Sequence, residues 1–568
     1  MKTALAKPRT YVPENMVISW DNLKPLFKEL LEREIKNISA LEKWMKDRNE
    51  LEAVLQEDKA WRYIHMTCHT NNEEYVSSFQ YFATEIDPKI APINNELDKK
   101  LIEHELTKQL DEETYFIYLR KVRNALTLFR EENIPLFTEI ELKQQAYQTA
   151  IGNLMVHING KEYTVQQATA RLLEPDRSVR ETAWHAIASA RLEQKDIFEQ
   201  IFSELLPLRH QVALNAGFDN FRDYMFAAMG RFDYNVSDCE AFHQAVAEHV
   251  VPILKEWTNE RRADLNIRKL QPWDMQVNPK GLPPLKPFEN DNQLIDSTEM
   301  ALSNLNPYLG HCISTMRKNN LFDVGSRKGK APGGYNYPLY ESGAPFIFMN
   351  ATGTMRDVTT MVHEAGHAVH TFLSSDLMLN EFKDVPSEVA ELASMSMELI
   401  SMDQWHHFLS DPKDLARAKK EQLEQALGAL PWIATIDKFQ HWLYTNPMHS
   451  IEERSEAWVA IFREFGSGFA DWSDHTEAEK YIWHKQIHIY EVPFYYIEYG
   501  FAQLGAISVW KNFKKSPDRA LSAYLSALKL GYTKTIGEIY KAAGISFDFS
   551  ADYVAGLAQF TKEEANKF

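Results

Sequence analysis

The chain has 568 residues, 44% of them hydrophobic and 25% charged, so it can bury a large core and is not a disordered tail. Its 62 Lys and Arg stand against 80 Asp and Glu, a net charge of -18, and no concentrated basic patch interrupts that balance, which argues against nucleic acid as a partner. Three widely spaced cysteines, Cys68, Cys239 and Cys312, argue against a disulfide framework and against a thiolate metal site, and imply a reducing compartment.

At the N-terminus, Pro8 and Arg9 interrupt any apolar run of the length an export signal needs, and nowhere do about 18 apolar residues follow one another. The expectation is a cytoplasmic protein without a membrane partner. Most of the chain has a helical texture, as in residues 196–216, where Ile197, Phe198, Ile201, Phe202, Leu205 and Leu206 are assigned to one face and Gly217 follows as a stop. A small exception is residues 156–165, where Asn159-Gly160 predicts a two-residue hairpin turn. Residues 271–292 are rich in proline and polar residues and read as a long excursion. Residues 325–350 begin glycine-rich, without the spacing of a phosphate loop, and end in an apolar run at 345–349 that reads as a strand.

His363, Glu364, Ala365, Gly366 and His367 then spell HExxH within a proline-free stretch of helical periodicity. Two histidines four apart project from one helix face, where both imidazoles can bind one Zn2+. Glu364, next to the first, is placed to take a proton from water whose pKa the metal has lowered. His370, a further turn along, reads as a packing or outer neighbour. A second helix is predicted from about Glu388, with Ser387 as its N-cap, and periodicity nominates Glu388, Glu391 and Glu398 equally as a third ligand. Two His and one Glu leave a coordination position open, as in catalytic zinc sites, and such a shell also accepts Co2+ or Mn2+. Near the C-terminus, His488, Tyr490, Tyr495, Tyr496 and Tyr499 form an aromatic segment that reads either as core or as a set of hydrogen-bond donors for a developing oxyanion.

Residues 346–370 (FIFMNATGTMRDVTTMVHEAGHAVH), 390–399 (AELASMSMEL) and 488–506 (HIYEVPFYYIEYGFAQLGA) together resemble the zinc oligopeptidase family of oligopeptidase F and thimet oligopeptidase, most of all the oligopeptidase F branch. The resemblance spans residue 180 or so to the end, and the N-terminal helices look like the family's N-terminal region. It implies a mainly α, two-lobed helical zincin-type metallopeptidase with a deep central channel and a small β element near the zinc helix. It also implies an N-terminal helical region at 1–180 and a catalytic region at 181–568. One Zn2+ per chain is expected on His363, His367 and Glu391, the last matching the family's Glu-x-x-Ser with Ser394, while Glu398 holds a ligand histidine. Glu364, His488, Tyr496 and Tyr499 are the implied catalytic residues; the family's third tyrosine falls on Tyr490 or Tyr495. Gly333, Gly334, Tyr335, Phe348 and Tyr495 are the expected substrate-binding residues, with the 346–349 strand offering its edge to an extended peptide.

The activity implied is endoproteolysis of short oligopeptides. Two rivals stand beside it: a zinc carboxypeptidase or dipeptidyl carboxypeptidase, for which Arg356 is an available cation, and a non-catalytic peptide-binding scaffold, against which the intact Glu364 argues.

Overall fold

The structure is a computed structural model that describes residues 8–568 apart from 328, 332 and 467. It is mainly α. In chain order, the elements that bear on function are helix α1 (Ile38–Cys68), strands β1 (Met155–Ile158) and β2 (Lys161–Thr164), α2 (Arg177–Glu193), α3 (Lys195–Asn215), β3 (Phe322–Gly325), β4 (Tyr335–Leu339), β5 (Ala344–Ala351), α4 (Met355–Ser374), α5 (Ser387–Ser401), α6 (Pro412–Thr445), α7 (Ile497–Lys515) and α8 (Pro517–Leu528). Among the described residues, no helix is long and apolar enough to cross a membrane, and the three cysteines are buried outside any disulfide.

The chain forms two compact units, each assembled from three stretches: 1–127, 286–418 and 505–547 in the first, and 128–285, 419–504 and 548–568 in the second. In the first unit, Leu41, Trp44 and Leu51 of α1 join Leu23, Phe27 and Leu30 in one apolar cluster. In the second, Tyr147 stacks on Tyr490 at 3.9 Å between ring centroids, and Phe202 meets Trp483 edge-on, so a large part of this core is aromatic.

The hairpin β1–β2 turns at Asn159 and Gly160, whose φ values of 51° and 75° are the two positive angles that a tight turn of matching twist requires. In α3, Phe198, Ile201, Phe202, Leu205 and Leu206 are buried, but Ile197 is 46% exposed, which corrects its assignment to the buried face. At 3.6 residues per turn it lies about 100° round from Phe198, beyond the apolar stripe.

Two further expectations are corrected. Helix α5 begins at Ser387 with Pro386 as its N-cap, so Ser387 is already helical and does not cap. Strand β5 is not an edge: the sheet order is β3-β5-β4, with Ile347 paired to Phe322 in parallel and to Asn336 in antiparallel register. Both of its hydrogen-bonding sides are therefore taken by neighbouring strands. Its unbroken apolar sequence is the pattern of a strand covered on both faces, and seven of its eight residues are buried.

Candidate active site

Helix α4 starts at a capping box in which Thr354 and Asp357 satisfy each other's backbone, and it buries Val358, Met361, Val362, Ala365 and Val369. His363 and His367 stand one turn apart on it, their ring centroids 4.9 Å apart and nearly perpendicular. Glu391 of α5 brings Oε2 to 3.3 Å from His363 Nε2 and 3.8 Å from His367 Nε2. One ligand atom from each of the three lies within 4.8 Å of the other two. Glu398, two turns on, accepts from His363 Nδ1 at 2.7 Å, and Ser394 Oγ donates to Glu391 Oε2 at 3.0 Å. Of the three carboxylates that periodicity left level, these two meet the histidines, while Glu388 is buried away from the cluster.

The donor set fits a divalent metal such as zinc. With Nδ1 engaged by Glu398, His363 directs Nε2 at the carboxylate of Glu391; a proton bridges the two when no metal is bound, and a divalent cation would take that proton's place between a neutral Nε2 and the carboxylate. Burial lowers His367 to a pKa of about 4, so it stays neutral and able to ligate. Burial disfavours a charged His363 too, but hydrogen bonds to Glu391 and Glu398 override it and hold that imidazole well above its usual value.

What brings α5 this close is the second unspecified residue of the motif. A Cβ on Gly366 would lie 2.6 Å from Ser394 Cα and 2.8 Å from the Ala393 carbonyl, so only glycine admits the α5 backbone here. Tyr524 of α8 donates to the Ala393 carbonyl at 2.6 Å, and Tyr540 donates to that of Glu388 at 3.0 Å, which fixes α5 from its other side. Neither tyrosine carries a sequence signal beyond its apolar neighbours.

Glu364 is 6% exposed and its Oε2 has no hydrogen-bond partner. Burial pushes its pKa up to about 7, against the opposing pull of His363, so the group can both take and give a proton near neutrality. Gly334 lies beside it: a Cβ there would be 4.0 Å from Glu364 Oε1 and 3.3 Å from the Phe348 carbonyl. Gly333 and Gly334 are exposed. Tyr335 is half-buried, bonded to Thr67 Oγ1 at 2.6 Å and stacked on Phe348 at 4.7 Å. Phe348 is wholly buried, so its ring presents no face to a ligand. His370 is also buried, its pKa lowered to about 3, and it lies outside the ligand cluster.

In the second unit, His488, Tyr495, Tyr496 and Tyr499 form one cluster: His488 lies 4.7 Å from Tyr496, 6.0 Å from Tyr495 and 6.1 Å from Tyr499 between ring centroids. Tyr490, the other candidate for the third tyrosine, is wholly buried against Tyr147 and outside it. The backbone beneath the cluster is held from afar. Arg209 donates to the carbonyls of Ile489 and Tyr490 and to Tyr444 Oη, and Arg231 donates to the carbonyl of Phe494 and to Glu498 Oε1. Phe494 has φ 68°, a left-handed conformation that costs a bulky residue about 1–3 kcal/mol, and its N–H is secured by Gln440 Oε1 at 2.8 Å.

The protonation of His488 follows from its neighbours. The indole of Trp432, a donor only, meets Gln486 Oε1 at 3.0 Å, which fixes the amide so that Nε2 faces His488 Nδ1 at 2.6 Å. An amide nitrogen only donates, so Nδ1 accepts and the ring proton sits on Nε2. Burial lowers the His488 pKa to about 4 and raises that of Tyr496 to about 12, leaving a neutral imidazole N–H and a phenol O–H as donors at pH 7.

Helical fold and ligand cluster together define a metallopeptidase. The profile of peptidase family M3 matches residues 172–559, more than half the chain, and that of the peptidase M3 N-terminal domain matches 15–129; the chain belongs to peptidase family M3. An oligoendopeptidase F homolog of Borreliella burgdorferi is 22% identical over 433 residues, 73% of this chain and 70% of that protein. Oligopeptidase PepF of Bacillus subtilis is 23% identical over 249 residues, 43% of this chain but 37% of that one. The solved structure of PZ peptidase A with inhibitor 2 superposes with a TM-score of 0.90 at 28% identity, covering 99% of each chain. The resemblance is thus to the oligoendopeptidase F branch.

Proposed function

We propose that the protein is a cytoplasmic zinc endopeptidase of short oligopeptides, its catalytic residues lying in the region 181–568. The observation that carries this reading is the convergence of His363, His367 and Glu391 within 4.8 Å, beside a buried carboxylate, Glu364, with an unpartnered oxygen. One Zn2+ held by those three residues would supply the positive charge that acidifies water and polarises the scissile carbonyl. Glu398 orients His363, and Ser394 orients Glu391. Glu364 takes the proton of the attacking water and passes it to the departing amine, a double duty that suits a pKa of about 7. His488 through Nε2–H, with Tyr496 and Tyr499 through their hydroxyls, donates to the oxyanion of the tetrahedral intermediate, and Tyr495 serves substrate binding. Exposed Gly333 and Gly334, at the entry to β4, take the main-chain contact with the peptide that β5 has no free side to make. The restriction to short, unfolded peptides rests on the family resemblance.

The test is mass spectrometry of a defined peptide mixture and one folded protein, incubated with wild type, with wild type plus chelator, and with Glu364→Gln. Expected are internal cuts confined to the short peptides, abolished by chelation, and a fall in turnover of about 10² to 10⁴ in a variant that still binds zinc. Cuts that proceed stepwise from C-termini and vanish when those are amidated would establish the carboxypeptidase rival. Wild-type turnover in Glu364→Gln would overturn the mechanism.

A further inference from the structure

The second unit contains a cavity of about 400 Å³ that has no part in the chemistry above. Its walls include residues of α2 and α6, of 169–172 and 272–276, and of 462–466 and 469–485, among them Trp184, Trp432 and Trp472. Among the described residues that line it there is no Asp or Glu, although the chain as a whole carries 80. Two cations do line it, Arg191 and Lys485. Neither meets a carboxylate among the described residues; Lys485 Nζ instead sits over the Trp432 ring at 4.5 Å. Lys485 is exposed and Arg191 half-buried, and the protein crowded around Lys485, with the like charge of Arg191, brings its pKa down to about 7. Burial lowers Arg191 as well. Two like charges on one aromatic-lined wall with no carboxylate beside them repel one another, and an anion placed between them relieves that repulsion.

We propose that this cavity is a second ligand site, taking a small apolar monocarboxylate whose body stacks among the tryptophans and whose head is gripped by Arg191 and Lys485. At about 400 Å³ the cavity lies within the size range of small-molecule sites, room enough for a bicyclic monocarboxylate. The fork of Arg191 and the ammonium of Lys485 match a carboxylate in charge and in hydrogen-bond polarity. The site is also wired to the His488 cluster, since its wall residue Trp432 is the one that orients Gln486 against His488.

Binding is measured without reference to catalysis, so it stands or fails separately from the peptidase reading. Isothermal titration of the full chain compares 2-naphthoate with 2-naphthamide, a neutral molecule of the same shape. Expected is one naphthoate per chain, bound at least about tenfold more tightly than the amide. Lys485→Gln should erase most of that preference while amide binding persists, and Ala188→Trp, which fills the cavity from α2, should abolish both. Should Lys485→Gln fail to fold, as judged by circular dichroism, the comparison of the two probes on wild type still decides. Equal affinity for the two probes, no binding of naphthoate, or naphthoate binding unchanged in a folded Ala188→Trp would each overturn the proposal.

Discussion

The metal cluster on α4 and α5 and the tyrosine cluster around His488 are built by opposite means. In the first, the helix repeat does the placing: four residues set His363 above His367, and seven separate Glu391 from Glu398. In the second, a five-residue helical turn and a left-handed Phe494 are held by Arg209, Arg231, Gln440 and Gln486, the first two more than 250 residues away in sequence. The first asks of the long-range fold that α5 be held against Gly366 of α4, whereas the second needs several remote side chains to shape its backbone as well.

That contrast can be broken or sharpened by substitution. The largest effect is expected for Arg231→Met, which leaves Glu498 buried without the guanidinium that meets it at 2.9 Å: urea unfolding should show a loss of about 3–5 kcal/mol. An unchanged midpoint would show that the second cluster does not depend on remote support. Next is Glu398→Ala, which frees the His363 ring without touching a ligand; competition with a chelator should show metal affinity reduced about 10- to 100-fold at little cost in stability.

Gln486→Glu comes third. A carboxylate in place of the amide favours a proton on Nδ1, so the imidazolium gains a partner and the pKa of His488 should rise from about 4 by at least about one unit, read from its ring-proton shifts in an NMR titration. The sign is testable by turnover too: a neutral ring with its proton on Nδ1 has none on Nε2, so above the raised pKa the variant lacks the Nε2–H donor and regains it as the ring protonates, and its turnover relative to wild type should improve as the pH falls toward that pKa. Gly160→Ala is the smallest, about 1 kcal/mol of stability from forcing a side chain into the φ 75° of the hairpin turn, with peptide turnover unaffected.

Legibility in the sequence follows the same divide. Helical class, the hairpin at Asn159-Gly160 and the HExxH pair are short-range patterns and stand where they are expected. Periodicity placed Glu388, Glu391 and Glu398 on one helix but not in depth; choosing among them needs the approach of α4 to α5, which rests on an absent side chain at Gly366. The apolar run at 345–349 announced a strand, yet not that β3 and β4 flank it, because pairing partners leave no mark on the strand that they pair with. Gln486 was invisible for the same reason: its role is set by Trp432 on α6, 54 residues earlier.

The motif HExxH leaves two positions open, and here both are fully enclosed: Ala365 is 0% exposed and Gly366 faces the α5 backbone. A library randomised at those two positions and selected for metal retention would therefore return small residues at 365 and almost only glycine at 366. The pattern used to recognise such sites is thus looser than this backbone. Many sequences that satisfy it letter for letter would carry both histidines and the glutamate intact and still hold Glu391 too far away to join them.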